Sequence, residues 1–254
     1  MGGGRRLICA EQKRRDDPVL ALHHSGRCHA KTSWAFLLAK RAGLHLGSGM
    51  SHHPDRIHPT AEQQALLREV RMRRVGPDEL ARWNELIERR HYLHNATLVG
   101  EVLRYVAVDA HDAWVALLGF SSASLHLRAR EAWLGWTPEQ RERRRQFVTQ
   151  NSRFLILPEQ RCPNLASRLL RLAAERLRED FPRVHGHPVV LVETFVDPER
   201  FRGTCYRAAN WVLLGRTTGR GKDDQTGRPN RSIKEILGYP LTPRFRQLLQ
   251  RVEA

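Results

Sequence analysis

Long apolar runs, lysine, cysteine and acidic side chains are all scarce in this 254-residue chain. No stretch approaches the roughly 18 consecutive apolar residues of a membrane-spanning helix, so no membrane span is expected. The opening residues, MGGGRRLICAEQKRRDD, are basic but lack an apolar core, which argues against a secretory signal. The four cysteines, Cys9, Cys28, Cys162 and Cys205, are not closely paired. That suits free thiols in a reducing cytoplasm better than a disulfide framework. Zinc-finger spacing is missing as well. Cys9, His23, His24, Cys28 and His29 are metal-capable, but their intervals match no finger pattern, and no metal site is assigned.

Arginine is abundant. Of 43 basic residues only five are lysine, and with 27 acidic residues the formal net charge is +16. Such a field draws polyanions by steering and by release of phosphate counterions. Arginine adds a planar fork that matches phosphate and guanine edges. Nucleic acid is therefore the first partner class to consider, although a count cannot show that the charge gathers on one face.

Hydrophobic residues make up 41% of the chain, enough for one large domain with a core. Residues 1–69 read as a flexible or poorly ordered basic extension, with one short helical fragment at Thr32–Leu44. The folded domain is expected over 70–254. Val70–Val75 is strand-like, and Pro77, Asp78 and Glu79 open a helix with apolar positions Leu80, Trp83, Leu86 and Ile87. Leu103–Asp109 and Ala113–Phe120 read as an antiparallel hairpin. A helix capped by Ser121 or Ser122 follows, then another with Thr137 as N-cap, Pro138 and Gln140 in a near capping box. The run SRFLILP is a buried strand. A long amphipathic helix starts near Pro163 and Asn164, with Arg168, Arg171, Glu175 and Arg178 on its wet side. Pro188–Val196 is a second buried strand, expected to lie parallel to the first. A short helix near Cys205–Asn210, the strand WVLLGRT, a Gly-rich charged loop, the strand-like IKEILGYPL and a closing helix complete the chain.

This order resembles the fold of the GCN5-related N-acetyltransferases, a mixed sheet with flanking helices. In that family an Arg/Gln-x-x-Gly-x-Gly/Ala turn opens the main helix, and Arg161-Cys162-Pro163-Asn164-Leu165-Ala166 falls at that place. A later Tyr-x-x-x-Gly-Phe signature corresponds to Tyr206 through Asn210 and Trp211. A more specific resemblance is to the DruA family of the Druantia anti-phage system. It is carried by HYL (His91–Leu93), GEVLRY (Gly100–Tyr105), NSRFLILP, PNLAS, LVETFVDP, GTCYRAANW and GRTTGRGK. The resemblance implies a part in phage defence or DNA mobility, with other defence-system proteins as partners. It supplies no reaction.

Three chemistries are open to such a domain. For acyl transfer from acetyl-CoA, the resemblance places Arg161, Asn164 and Ala166 at the pyrophosphate turn and Tyr206 at a general acid, with Glu193 as base. Asn164 stands where a glycine is usual, and Pro163 removes a donor. For metal-dependent DNA cleavage, Glu193 and Asp197 lie four apart near a strand end, with Asp109 or Asp112 to complete a Mg²⁺ site. For nucleic-acid binding, Arg141, Arg143, Arg144 and Arg145 cluster on one helix. Arg216, Arg220 and Lys222 alternate with glycine in a loop that can wrap phosphate. Tyr206, Trp211 and Trp136 are available either to stack bases or to fill the core. Arg153, Glu193, Tyr206 and Asn210 are expected to converge where the two parallel strands end.

Overall fold

The structure, a computed structural model, describes residues 58–220 and 230–251. The fragment Thr32–Leu44, the string from Cys9 to His29, and Lys222 lie outside the described residues.

The fold begins before the boundary expected at residue 70. Thr60 accepts the Gln63 N–H at 3.3 Å and Gln63 returns a bond to the Thr60 N–H, a capping box that starts helix α1 (Ala61–Glu69). Strand β1 (Arg71–Arg74) follows. Pro77 opens a single 3₁₀ turn that runs into α2 (Leu80–Arg90), where Trp83 and Ile87, one turn apart, are its buried residues. Strands β2 (Leu103–Val108) and β3 (Trp114–Ser122) make the expected hairpin. The Asp109 carboxylate holds its turn by accepting the His111 and Ala113 N–H groups, each at 2.9 Å.

The helix expected from Ser121 or Ser122 starts later. β3 runs through Ser122, because its serines are already committed to the sheet and its margin: the Thr149 hydroxyl donates to the Ser121 carbonyl, and the Ser122 hydroxyl accepts the Glu101 N–H. Helix α3 (Arg128–Leu134) begins at Arg128, with the Glu131 carboxylate accepting the Leu127 N–H at 3.0 Å. Thr137 and Gln140 form the expected capping box of α4 (Pro138–Arg144).

Next come β4 (Val148–Ile156), the 21-residue α5 (Leu165–His185), β5 (Leu191–Val196), the short α6 (Thr204–Ala208), β6 (Val212–Arg216), β7 (Glu235–Pro240) and α7 (Phe245–Gln250). Among the described residues the strands form one sheet in the order β1-β2-β3-β4-β5-β7-β6. Only β4 and β5 are parallel. This is a mixed sheet with flanking helices, as the sequence reading expects. One face packs under α5, whose Leu169, Leu170, Ala173 and Leu177 join the main core. The other face is covered by α2 over the first strands and by α3 and α7 over β5 and its neighbours.

Two irregularities prepare the site. β4 and β5 pair only from Val148–Leu191 to Gln150–Glu193 and then part. At the same level β4 is bulged, since Gly119 faces Arg153 and Phe120 faces Asn151, leaving Ser152 unopposed.

Candidate functional site

Where β4 and β5 part, a crevice of about 50 Å³ opens, bordered by His91 and Tyr92 after α2, Asn151, Ser152 and Phe154 of β4, Thr194 of β5, Phe201, and Tyr206 of α6. The Thr194 hydroxyl donates to the Asn151 carbonyl at 3.0 Å, bridging the strands where backbone pairing has stopped. The Tyr206 hydroxyl donates to Asn151 Oδ1 at 2.7 Å. The Asn151 amide donates in turn to the Gly119 and Arg153 carbonyls, so its orientation is fixed. Gly203, in the left-handed region at φ 64°, turns the chain into α6 and brings Tyr206 inward. His91 is 2% exposed, and burial holds its pKa down to about 4. Its Nδ1 accepts the Leu93 N–H, so the neutral ring carries its proton on Nε2. Ser152, on the bulge, shares a 2.5 Å hydrogen bond with Ser121.

The expected site residues divide among separate environments. Tyr206 lies in the crevice. Glu193 does not: strand alternation sends it to the opposite sheet face, beneath α3. There its Oε1 meets Arg130 Nη1 at 3.0 Å, and neither side chain has any exposed surface. Burial raises the Glu193 pKa against the pull of Arg130. Sealed in that pair, the carboxylate reaches neither Tyr206 nor solvent. Asp197 ends β5; its carboxylate accepts the Glu199 N–H at 3.1 Å and the Ser232 hydroxyl at 2.9 Å. Asp109 holds the hairpin turn, and Asp112 pairs with Arg73 at 3.6 Å. Among the described residues no group of three or more His, Cys, Asp or Glu could hold a metal ion. Arg153 flanks the crevice, but its guanidinium donates to the carbonyls of Asn95, Thr97 and Ser152 and so pins the loop before β2. Asn210 is exposed, on the far side of α6.

A family model for Druantia protein DruA matches residues 44–249. The chain belongs to the DruA family. That family is one of an anti-phage defence system. A search of curated proteins finds no match. Among solved structures, the chain is similar to the spermidine/spermine N-acetyltransferase SpeG from Vibrio cholerae in complex with manganese ions, at 11% identity, covering 69% of this chain and 95% of that one with a TM-score of 0.42. A dodecameric form of spermidine N-acetyltransferase from the same organism is 12% identical over 68% of this chain and 95% of that one, with a TM-score of 0.43.

The phrases that carry the DruA resemblance are scattered in sequence and meet in space. His91 and Tyr92 of HYL, Asn151, Ser152 and Phe154 of NSRFLILP, Thr194 of LVETFVDP, and Gly203 and Tyr206 of GTCYRAANW all border the crevice. The two places where the acetyltransferase signatures keep glycine hold asparagine in this DruA-family chain, and both are left-handed, Asn164 at φ 66° and Asn210 at φ 63°. Asparagine adopts that conformation more readily than other side chains, so the backbone path survives the loss of glycine. A phosphate cradle does not survive with it. Pro163 has no N–H, the Leu165 N–H bonds to the Cys162 carbonyl, and Asn164 carries a side chain where close approach is needed. The Arg161 carbonyl is tied to Gln63 of α1, and Ala166 packs against the core. These residues do not fit a coenzyme A pyrophosphate.

The basic residues singled out in the sequence are largely engaged with the fold. Arg141 pairs with Glu131 at 3.5 Å and Arg143 with Glu139 at 3.3 Å; Arg144 bonds to the Arg251 carbonyl and Arg145 to that of Ala123. Arg216 lies 3.8 Å from Glu235, and Arg220 is exposed at the edge of the described residues. Trp211 packs edge-on against Tyr206 in the core, and the Trp136 indole donates to the Leu249 carbonyl. A stronger basic feature is a groove of about 630 Å³ along α5, bordered by Arg168, Arg171 and Arg178, by Ala208–Asn210 at the end of α6, and by Leu67 and Tyr239. Arg168 and Arg178 are anchored through Nε to the Leu67 and Leu241 carbonyls, at 3.3 and 2.8 Å, which leaves the Nη fork for another partner. Arg171 bonds to Glu175 at 3.2 Å. In the sequence alone these arginines form the solvated face of an amphipathic helix. The walls that turn the face into a groove come from α1, α6 and β7, remote in sequence.

Proposed function

We propose that this chain serves Druantia defence in the cytoplasm by engaging nucleic acid through the arginine-walled groove beside α5, alongside other proteins of that system. The groove carries the reading. Arg168, Arg171 and Arg178 lie on one helical face with a single acidic residue among them. At 1.5 Å per residue the row is about 15 Å long, which matches about four nucleotide steps of one strand. Arginine forks held by their Nε atoms are pre-oriented for phosphate oxygens. The net charge of +16 supplies the long-range attraction. The free thiol of Cys162 accords with a reducing compartment.

The test is a salt titration of labelled single- and double-stranded oligonucleotides followed by fluorescence anisotropy. Three phosphate contacts give a log–log slope of about −2 to −3 between roughly 50 and 200 mM salt. Binding that is absent, or indifferent to salt, overturns the proposal.

A further inference from the structure

The crevice between β4 and β5 shares a wall with the groove. Tyr206 of α6 lines the crevice, and Ala208–Asn210, immediately beyond, line the groove. Tyr206 and Asn210 are four residues apart, so at most about 14 Å of chain separates the two walls. A strand held by its phosphates in the groove therefore has bases within reach of the crevice.

The crevice differs from the groove in chemistry. Its mouth is aromatic: Tyr92 and Phe201 meet edge-on with ring centroids 4.9 Å apart, and His91 lies 4.7 Å from Tyr92. Tyr92 and Phe201 are only half-buried, so part of each ring remains open. The interior is polar and uncharged: the neutral His91 offers its Nε2–H as a donor, and the Ser152 and Thr194 hydroxyl oxygens, whose protons are used within the protein, offer acceptor lone pairs. The nearby charges include Arg153, committed to backbone carbonyls, Asp197, committed to Ser232 and Glu199, and Arg200, which acts electrostatically on Tyr92. An aromatic mouth before a neutral, donor-and-acceptor interior suits a planar ring with a polar edge. It does not suit a bare phosphate, which would meet no free cation inside.

We infer that this crevice receives the edge of one unstacked nucleobase, whose ring lies against Tyr92 and Phe201 while its strand follows the α5 groove. The inference rests on the nucleic-acid reading above and deepens it. The volume of about 50 Å³ admits the hydrogen-bonding edge of a base, with the ring face left at the mouth. Aromatic side chains that stack single bases, with polar groups reading the base edge, are the usual means of holding an unstacked nucleotide.

The test uses the full chain and single-stranded oligonucleotides carrying one 2-aminopurine at successive positions, with protein raised until anisotropy shows the strand fully bound. Unstacking raises 2-aminopurine fluorescence, so an enhancement confined to one position is expected. It is expected to disappear in Tyr92→Leu and in Phe201→Leu at saturation, and affinity to fall about fivefold or more, the cost of one stacked base. Phe201 sits on a loop and keeps the readout available should Tyr92→Leu fail to fold. A bound strand with no enhancement at any position overturns the base site and leaves the groove standing. Enhancement that survives both variants places the base elsewhere and also overturns it. No binding at any salt removes both proposals together.

Discussion

Replacing Glu193 with glutamine removes the negative partner of a guanidinium that has no access to water. Arg130 and Glu193 have no exposed side-chain surface, and their bond is 3.0 Å long. Arg130 also donates to the Ser124 carbonyl at 2.9 Å and lies over the Trp136 ring at 5.5 Å. Arg130 Nε has no hydrogen-bond partner among the described residues, so the pair is sealed but incompletely satisfied. Arginine cannot shed its proton, so Glu193→Gln leaves a buried charge whose remaining counter-ion is Glu131, 4.0 Å from its Nη2 and partly exposed. The expected cost is about 3–5 kcal/mol, a large part of the roughly 5–15 kcal/mol that holds a domain folded. In urea unfolding that is a midpoint shift of about 2 M for a slope near 2 kcal/mol/M. Arg130→Met is milder at low pH, because the orphaned carboxyl can take up a proton. The double change Arg130→Met with Glu193→Leu is expected to recover most of the loss, since apolar replacement of a buried pair is often neutral or stabilising. The pH profile supplies an independent readout. Burial raises the Glu193 pKa above its ordinary 4.5, so this group's contribution is fully present below 4.5 and is lost as pH rises through the folded value. That decline is absent in Glu193→Gln. A single variant costing under about 1 kcal/mol, or a double variant as unstable as Glu193→Gln, refutes the reasoning.

Removing the groove's charge in Arg168→Gln, Arg171→Gln and Arg178→Gln together is expected to reduce the salt slope by about 2–3 and weaken all sequences alike; an unchanged slope in the titration places the phosphates elsewhere. His91 has a folded pKa of about 4 against an ordinary 6.5, so the stability it contributes is present above 6.5 and lost as pH falls towards 4. His91→Gln should flatten that part of a thermal-midpoint profile, and a profile identical to the parent's shows that the ring is not held neutral. The Tyr105 hydroxyl donates at 3.1 Å to Asp180, which also receives Arg176 at 2.7 Å. Tyr105→Phe is expected to cost about 1.5–3 kcal/mol in chemical denaturation, and a loss below about 0.5 kcal/mol shows that Arg176 alone satisfies the carboxylate.

Local chemistry made much of the fold legible. Capping pairs such as Thr137 with Gln140, the apolar runs of β4 and β5, and the helical spacing of α5 act within a few residues, so strings of letters record them. The serines at 121 and 122 misled for the same reason. Either one can cap a helix, and only the neighbouring strand decides that they belong to the sheet. The phrases GTCYRAANW, NSRFLILP and LVETFVDP carry the family resemblance in the sequence alone, because each spans a whole local segment.

The site itself was beyond the sequence. Tyr206 and Glu193 both sit near the parting strands, and their residue types favour a joint site. Strand alternation and the placement of α3 put them on opposite sheet faces, one beside Asn151 and the other against Arg130. The arginines of α5 were visible as letters, but the groove needs walls from α1, α6 and β7. The sequence by itself determined composition, charge, element order and family, which depend on neighbours along the chain. The tertiary structure alone decided which polar groups meet, because burial and hydrogen bonding are set by residues tens of positions apart.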